Sequence, residues 1–233
     1  MFVFGKHYSG GVCEVYQSVL HKIIPYLLVI ARTPEGVTVV DSDGVTYQGD
    51  AILIKPMVDH KFLMDTGEAL HLFLAPYSDF ADKLGDLVGD AEIAQLPVDA
   101  LPFSHKTSNK QIFRILDDVM LKISTKIDSR LATALDDVEE SVPSVSLVEI
   151  ANRCDISPSR LRVIAKQELG VSLSALLVWR KLVNAMKILS SGSSLSEAAS
   201  EGGFSDQAHF TRTMRRVFGI TPADSMKALN YEN

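Results

Sequence analysis

Few residues in this 233-residue chain are placed to do chemistry. His21, His60 and His71 come first, because imidazole ligates metals and titrates near neutral pH. A metal centre needs three convergent ligands, and no His-x-His pair occurs. His60 follows Pro56 at a turn and His71 alternates with Leu70 and Leu72, so hydrogen bonding to structure or to a ligand suits them better. Cys13 and Cys154 lack partners at zinc-ligand spacing and cannot build a disulfide framework. Cys154, between Arg153 and Asp155, reads as a turn-filling residue and not a redox switch. No catalytic set, metal or cofactor is expected.

The other chemistry on offer is recognition of a polyanion by arginine and lysine. Taken whole, 23 basic against 29 acidic residues give a net charge of −6, which argues weakly against a general nucleic-acid binder. The charge is unevenly spread. Leu135 to Val145, with four acids, two serines and Pro143, reads as a linker over 135–145. Cutting after Ser144 leaves 12 basic and 21 acidic residues before it, net −9, and 11 basic and 8 acidic after it, net +3. Only the C-terminal part suits a polyanion.

Length and composition agree with two soluble domains: 46% hydrophobic and 22% charged residues are ordinary globular values. The longest apolar run, Ile23 to Ala31, is short of a membrane span, and the N-terminus is not a signal peptide. A cytoplasmic protein without membrane contact is expected.

Residues 1–134 are expected to form a sensing and dimerisation domain. Short β-rich runs fill about 1–75: Val12 to Val19, Val37 to Val40, Val45 to Tyr47, Ala51 to Ile54 and Ala69 to Leu74. Asp41-Ser-Asp-Gly44 signals a hairpin. These strands predict a small barrel or jelly roll whose interior is the default ligand pocket, with His21, Tyr26, His60 and His71 as polar lining. Helices are expected over about 77–134, one with Phe80, Leu84, Leu87 and Val88 on a face. A longer one is expected from about Ser108 to Leu135. Its stripe, Ile112, Leu116, Val119 and Ile123 onward, either covers the barrel or makes a homodimer seam.

Residues 146–233 carry one motif twice. Ser146-Leu-Val-Glu149 and Ser194-Leu-Ser-Glu197 are capping boxes. Each is followed by an alanine (Ala151, Ala199), a turn (Cys154-Asp155, Gly202-Gly203), and an apolar-serine pair expected to cap a second helix (Ile156-Ser157, Phe204-Ser205). The second helices place Leu161, Ile164, Ala165 and Leu169, or Phe210, Met214 and Phe218, on one face, and stop at Gly170 and Gly219. Between the units, Ser172 to Leu189 predicts a helix of about 27 Å, with Trp179 as core. Tandem helix-turn-helix units on such a spacer can reach two successive major grooves, ~34 Å apart. The fold class is α+β: a sheet domain with helices, then an all-α tandem helix-turn-helix domain.

Gly203-Phe-Ser-Asp-Gln-Ala-His-Phe-Thr-Arg212 with Arg215-Arg-Val-Phe-Gly-Ile-Thr-Pro222 resembles the second helix-turn-helix signature of the AraC/XylS transcription regulators. Trp179-Arg-Lys-Leu182 with Ala185 is similar to the family's linker helix, so the resemblance spans about 145–228. Ala51 to His60 is more loosely similar to the family's cupin-like effector domain. Ser225 stands where the family usually has an aromatic residue, and Lys181 where it has arginine.

The resemblance implies base contacts from Ser159, Arg162 and Val163 in the first unit and from Gln207, Ala208, His209 and Arg212 in the second. Arginine suits guanine, glutamine suits adenine, and Ala208 suits a thymine methyl. Arg160, Lys166, Arg215 and Arg216 would meet phosphates, which position without reading sequence. Plainer alternatives stay open: Arg215 and Arg216 as a solvated face, His209 packed on its own helix. The resemblance further implies double-stranded promoter DNA as partner, a small-molecule effector and activation through RNA polymerase; a homodimer would follow from the stripe if it is a seam. Two other readings compete: a cupin-type enzyme with a helical oligomerisation module, and a regulator acting by protein contact without DNA.

Overall fold

The computed structural model describes residues 2–5, 7–14, 18–63, 68–103, 107–120, 122–140 and 146–229. The N-terminal strands are β1 (Phe2–Phe4), β2 (Tyr8–Glu14), β3 (His21–Lys22), β4 (Tyr26–Ala31) and β5 (Val37–Asp41), then β6 (Thr46–Gly49), β7 (Ala51–Ile54), β8 (Asp59–Phe62), β9 (Glu68–Leu74) and, after a helix, β10 (Ile93–Gln95). They pair antiparallel into two sheets, ordered β1-β2-β9-β4-β7-β10 and β3-β8-β5-β6. The sheet domain thus outlasts residue 75, because β10 pairs with β7. The expected run Val12 to Val19 is a strand only to Glu14; residues 15–17 lie outside the described residues.

Alternation along β4 and β9 explains the layers. Val29 and Phe73 pack with Val37, Val39 and Phe62 between the sheets. Leu28, Ile30, Leu70 and Leu72 face the other way, onto α1 (Asp79–Val88) and α2 (Asn109–Val119). Buried on both faces, these strands read as near-continuous apolar runs. In the β5–β6 hairpin, Asp41 Oδ1 accepts from the Asp43 and Val45 amides and Gly44 takes the left-handed conformation.

The helix expected over 108–135 is two helices. α2 ends at Val119, residues 122–128 carry a short bridge from Ile123 to Ser78, and α3 runs Ser129–Glu140. Asp128 starts α3 by accepting from the Arg130 amide, a stop-and-restart signal inside an apolar period. The proposed seam is therefore broken. Ile112 and Leu116 are fully buried beneath the six-stranded sheet with Val119 beside them, while Ile123 packs against the other core. The stripe covers its own domain.

α3 also moves the domain boundary. Leu131, Ala134 and Leu135 are buried against α4 (Leu147–Arg153), α5 (Pro158–Leu169) and α6 (Leu173–Ser190), so α3 belongs with the helical domain. The expected linker 135–145 is helix to Glu140, and its remainder, 141–145, lies outside the described residues. α7 (Leu195–Glu201), α8 (Gln207–Phe218) and α9 (Pro222–Leu229) complete the domain. α6, capped by Ser172, has 18 residues and spans about 27 Å.

Candidate nucleic-acid interface

Both units are positioned from their first helix. Ser146 and Ser194 accept from the Glu149 and Glu197 amides, and each glutamate accepts from its serine's own amide. Those amide bonds hold both carboxyls below the usual glutamate range. Ala151 and Ala198–Ala199 are buried, which lets α5 and α8 cross closely.

α5 starts at Pro158 with Ser157 as cap. α8 starts one position later than the serine pattern implies. Its cap is Asp206, whose carboxylate accepts from the His209 amide at 2.7 Å, a bond that lowers the Asp206 pKa. Ser205 instead lies 3.1 Å from His209 Nδ1, and the His209 ring stands edge-on to Phe204. His209 is exposed yet tied to its own turn.

Each of the seven positions inferred to read bases is exposed: Ser159, Arg162 and Val163 on α5, and Gln207, Ala208, His209 and Arg212 on α8. Behind them, Leu161, Ile164 and Ala165, or Phe210, Thr213 and Met214, are buried, so each helix shows solvent one polar face. Arg160, Lys166, Arg215 and Arg216 are exposed too. Lys166 donates to the Gly170 carbonyl at 2.7 Å, closing the last turn of α5.

The effector positions separate. His21 pairs across strands with His60, ring centroids 4.5 Å apart, and His71 reaches them past Phe62. All three are buried, and burial depresses them: His60 to about 3, His71 to about 4, His21 in the same direction. Tyr26 does not join them. It faces α1 on the opposite side of the sheet, its hydroxyl beside Gly85 and near Asp82 and Asp86, and burial raises its pKa. Among the described residues, no group of three or more His, Cys, Asp or Glu is arranged to hold a metal.

Sequence reasoning missed the junction between the domains. Phe73 of β9, Trp179 of α6 and Phe218 of α8 meet with centroids 5.2–5.3 Å apart. Beside them lies a narrow cleft lined by His7, Tyr8, Ser9 and Tyr77 from the sheet domain and Leu176, Trp179, Arg180 and Val183 from α6. No local signal pairs residues so distant in the chain; Trp179 read only as core.

Residues 150–228 match the family model described as a helix-turn-helix domain. No curated protein matches this sequence significantly. The whole fold is similar to that of ToxT from Vibrio cholerae: 12% identity at a TM-score of 0.60, covering 96% of this chain and 99% of that one. ToxT with a bound unsaturated fatty acid gives 13% identity and a TM-score of 0.61 over 99% of both chains. An AraC-type regulator from Chromobacterium violaceum shares 26% identity over 45% of this chain and 96% of its own, at a TM-score of 0.42. No described helix is long and apolar enough to cross a membrane. Residues 150–228 are therefore a helix-turn-helix domain, joined to a sheet domain in a two-domain fold similar to that of ToxT.

Proposed function

We propose that the chain is a one-component transcription regulator whose two recognition helices enter successive major grooves of promoter DNA. One observation carries this reading: α5 and α8, which precede and follow a spacer helix of about 27 Å in the chain, both expose the N-terminal polar faces suited to base contact. Arg162 and Arg212 read guanine, Gln207 reads adenine, and Arg160, Arg215 and Arg216 hold phosphates. The modest +3 of residues 145–233 leaves much of the affinity to these contacts. Arg212→Ala should weaken operator binding by ~1–3 kcal/mol and relax preference at one base position, as measured by fluorescence anisotropy on operator variants. Equal weak binding to every fragment would refute the reading.

The effector enters the interdomain cleft in this reading. Two neighbours are ToxT with an unsaturated fatty acid and ToxT with (E)-4-(8-methylnaphthalen-1-yl)but-3-enoic acid, each a carboxylate on an apolar body. The cleft offers the same pairing of chemistries, Arg180 beside Leu176, Trp179 and Val183. Oleate should quench Trp179 saturably, and Arg180→Ala should weaken it at least tenfold; quenching untouched by that change removes the site. Activation by contact with RNA polymerase rests on the family resemblance; action as a homodimer and a cytoplasmic location complete the proposal.

A further inference from the structure

We propose that His21, His60 and His71 form an acid-operated latch that holds the second recognition helix against the sheet domain while neutral and releases it when charged. β3 is a two-residue edge strand, bonded only to β8 in its sheet and packed against α8 on its other side. His21 touches the end of α8 directly: a methyl group on Gly219 would lie 3.1 Å from its Nδ1. Its other neighbour is His60, and His71 completes the buried group behind Phe62.

The hydrogen bonds make this group intolerant of protons. His21, His60 and His71 place Nδ1 2.8, 3.0 and 3.4 Å from the carbonyl oxygens of Val19, Val58 and Ala69. A carbonyl only accepts, so Nδ1 carries the proton and a neutral ring leaves Nε2 bare. His60 Nε2 is buried without a hydrogen-bond partner among the described residues. A second proton there would have no acceptor and would face two more imidazoles.

Compensating charge around the group is already engaged. Asp59, next to His60, pairs with Lys22 at 2.9 Å. Asp41, across from His60 on β5, spends its carboxylate on the Asp43 and Val45 amides and on the Tyr47 hydroxyl. α8 brings only Arg215 and Arg216 in its last turn, both exposed and of the wrong sign. An imidazole that release exposes titrates at the ordinary value of about 6.5. Folded values depressed by burial mean the latched state keeps its full advantage above about pH 6.5 and loses it as pH falls, up to tenfold per pH unit for each imidazole exposed. With His21 and His60 exposed together the loss reaches about a hundredfold per unit.

Trp179, the single tryptophan, packs on Phe218 at the same end of α8 and reports release without DNA. Full-length protein titrated from about pH 7.5 to about pH 5 should show a cooperative red shift of Trp179 emission with helical circular dichroism retained. The His21→Asn/His60→Asn variant, whose amides can still donate to the carbonyls, should move that midpoint down by about one pH unit or more. Should the variant not fold, imidazole NMR of the wild type decides: the buried rings should stay neutral until the tryptophan signal changes and then titrate with it. Unchanged emission, an unshifted midpoint in the folded variant, or imidazoles that titrate while emission stays constant would overturn the latch. A chain that binds no DNA would sink the regulator reading and leave this test intact.

Discussion

The two helix-turn-helix units repeat their turn bond for bond. Cys154 N–H donates to Ile150 O, Asp155 to Asn152 and Ile156 to Ala151 in the first; Gly202 donates to Ala198, Gly203 to Ser200 and Phe204 to Ala199 in the second. The residues making these turns differ, and so do the surroundings. Gly202 lies against α6, where an added Cβ would come within 2.5 Å of Ala185 Cβ, whereas the matching Cys154 keeps its side chain. The left-handed position is Gly203 in one unit and Asp155 in the other. α8 is pinned at its end by His21, Phe73 and Trp179, while α5 ends at Gly170 with open space around it. The same backbone turn builds both helix pairs, and only long-range packing ties one of them to the sheet domain.

That contrast is most strongly tested at the matched core positions, four residues past each cap. Phe210→Ala should cost ~3–5 kcal/mol and Leu161→Ala ~2–5 kcal/mol in urea unfolding, since both are fully buried. Next comes the turn: Gly202→Ala should cost ~1–3 kcal/mol by overpacking α6, and Cys154→Ala less. If the two cost the same, the tighter seating of the second unit is wrong. Ser146→Ala and Ser194→Ala should each cost ~1 kcal/mol, equal within error because the boxes are alike. Smallest of all, Asp155→Gly should change stability by less than ~1 kcal/mol, since relief of the left-handed strain is opposed by a more flexible unfolded chain; Gly203→Ala should destabilise by ~1 kcal/mol.

What sequence revealed tracks how local the cause is. Capping serines, αL glycines and the spacer helix act within a few residues, so most of the tandem units was readable. The Asp-Gly hairpin and the strands Ala51–Ile54 and Ala69–Leu74 were readable for the same reason. The one-residue shift at α8 escaped because Ser205 and Asp206 are both good caps, and only the bond to the His209 amide chooses between them. The continuous helix over 108–135 failed because apolar period runs through Asp128, where the chain restarts. Its stripe fitted a partner helix and a sheet equally well, and burial decided for the sheet. Nothing in the strand pattern said whether the four polar residues would meet; the three histidines do, and Tyr26 lies on the other face of β4. The aromatic junction, the cleft and the contact of His21 with Gly219 join residues far apart in the chain, and no local pattern announces such pairs.

In the proposed function, one chain reads two adjacent grooves with two separately addressed helices. Hydroxyl-radical footprinting of the full chain on its operator, compared with Arg162→Ala and Arg212→Ala, tests it most directly. The account predicts two protected segments about one helical turn apart, with each substitution weakening protection of a different one. A single protected segment, or two substitutions that weaken the same one, would contradict it.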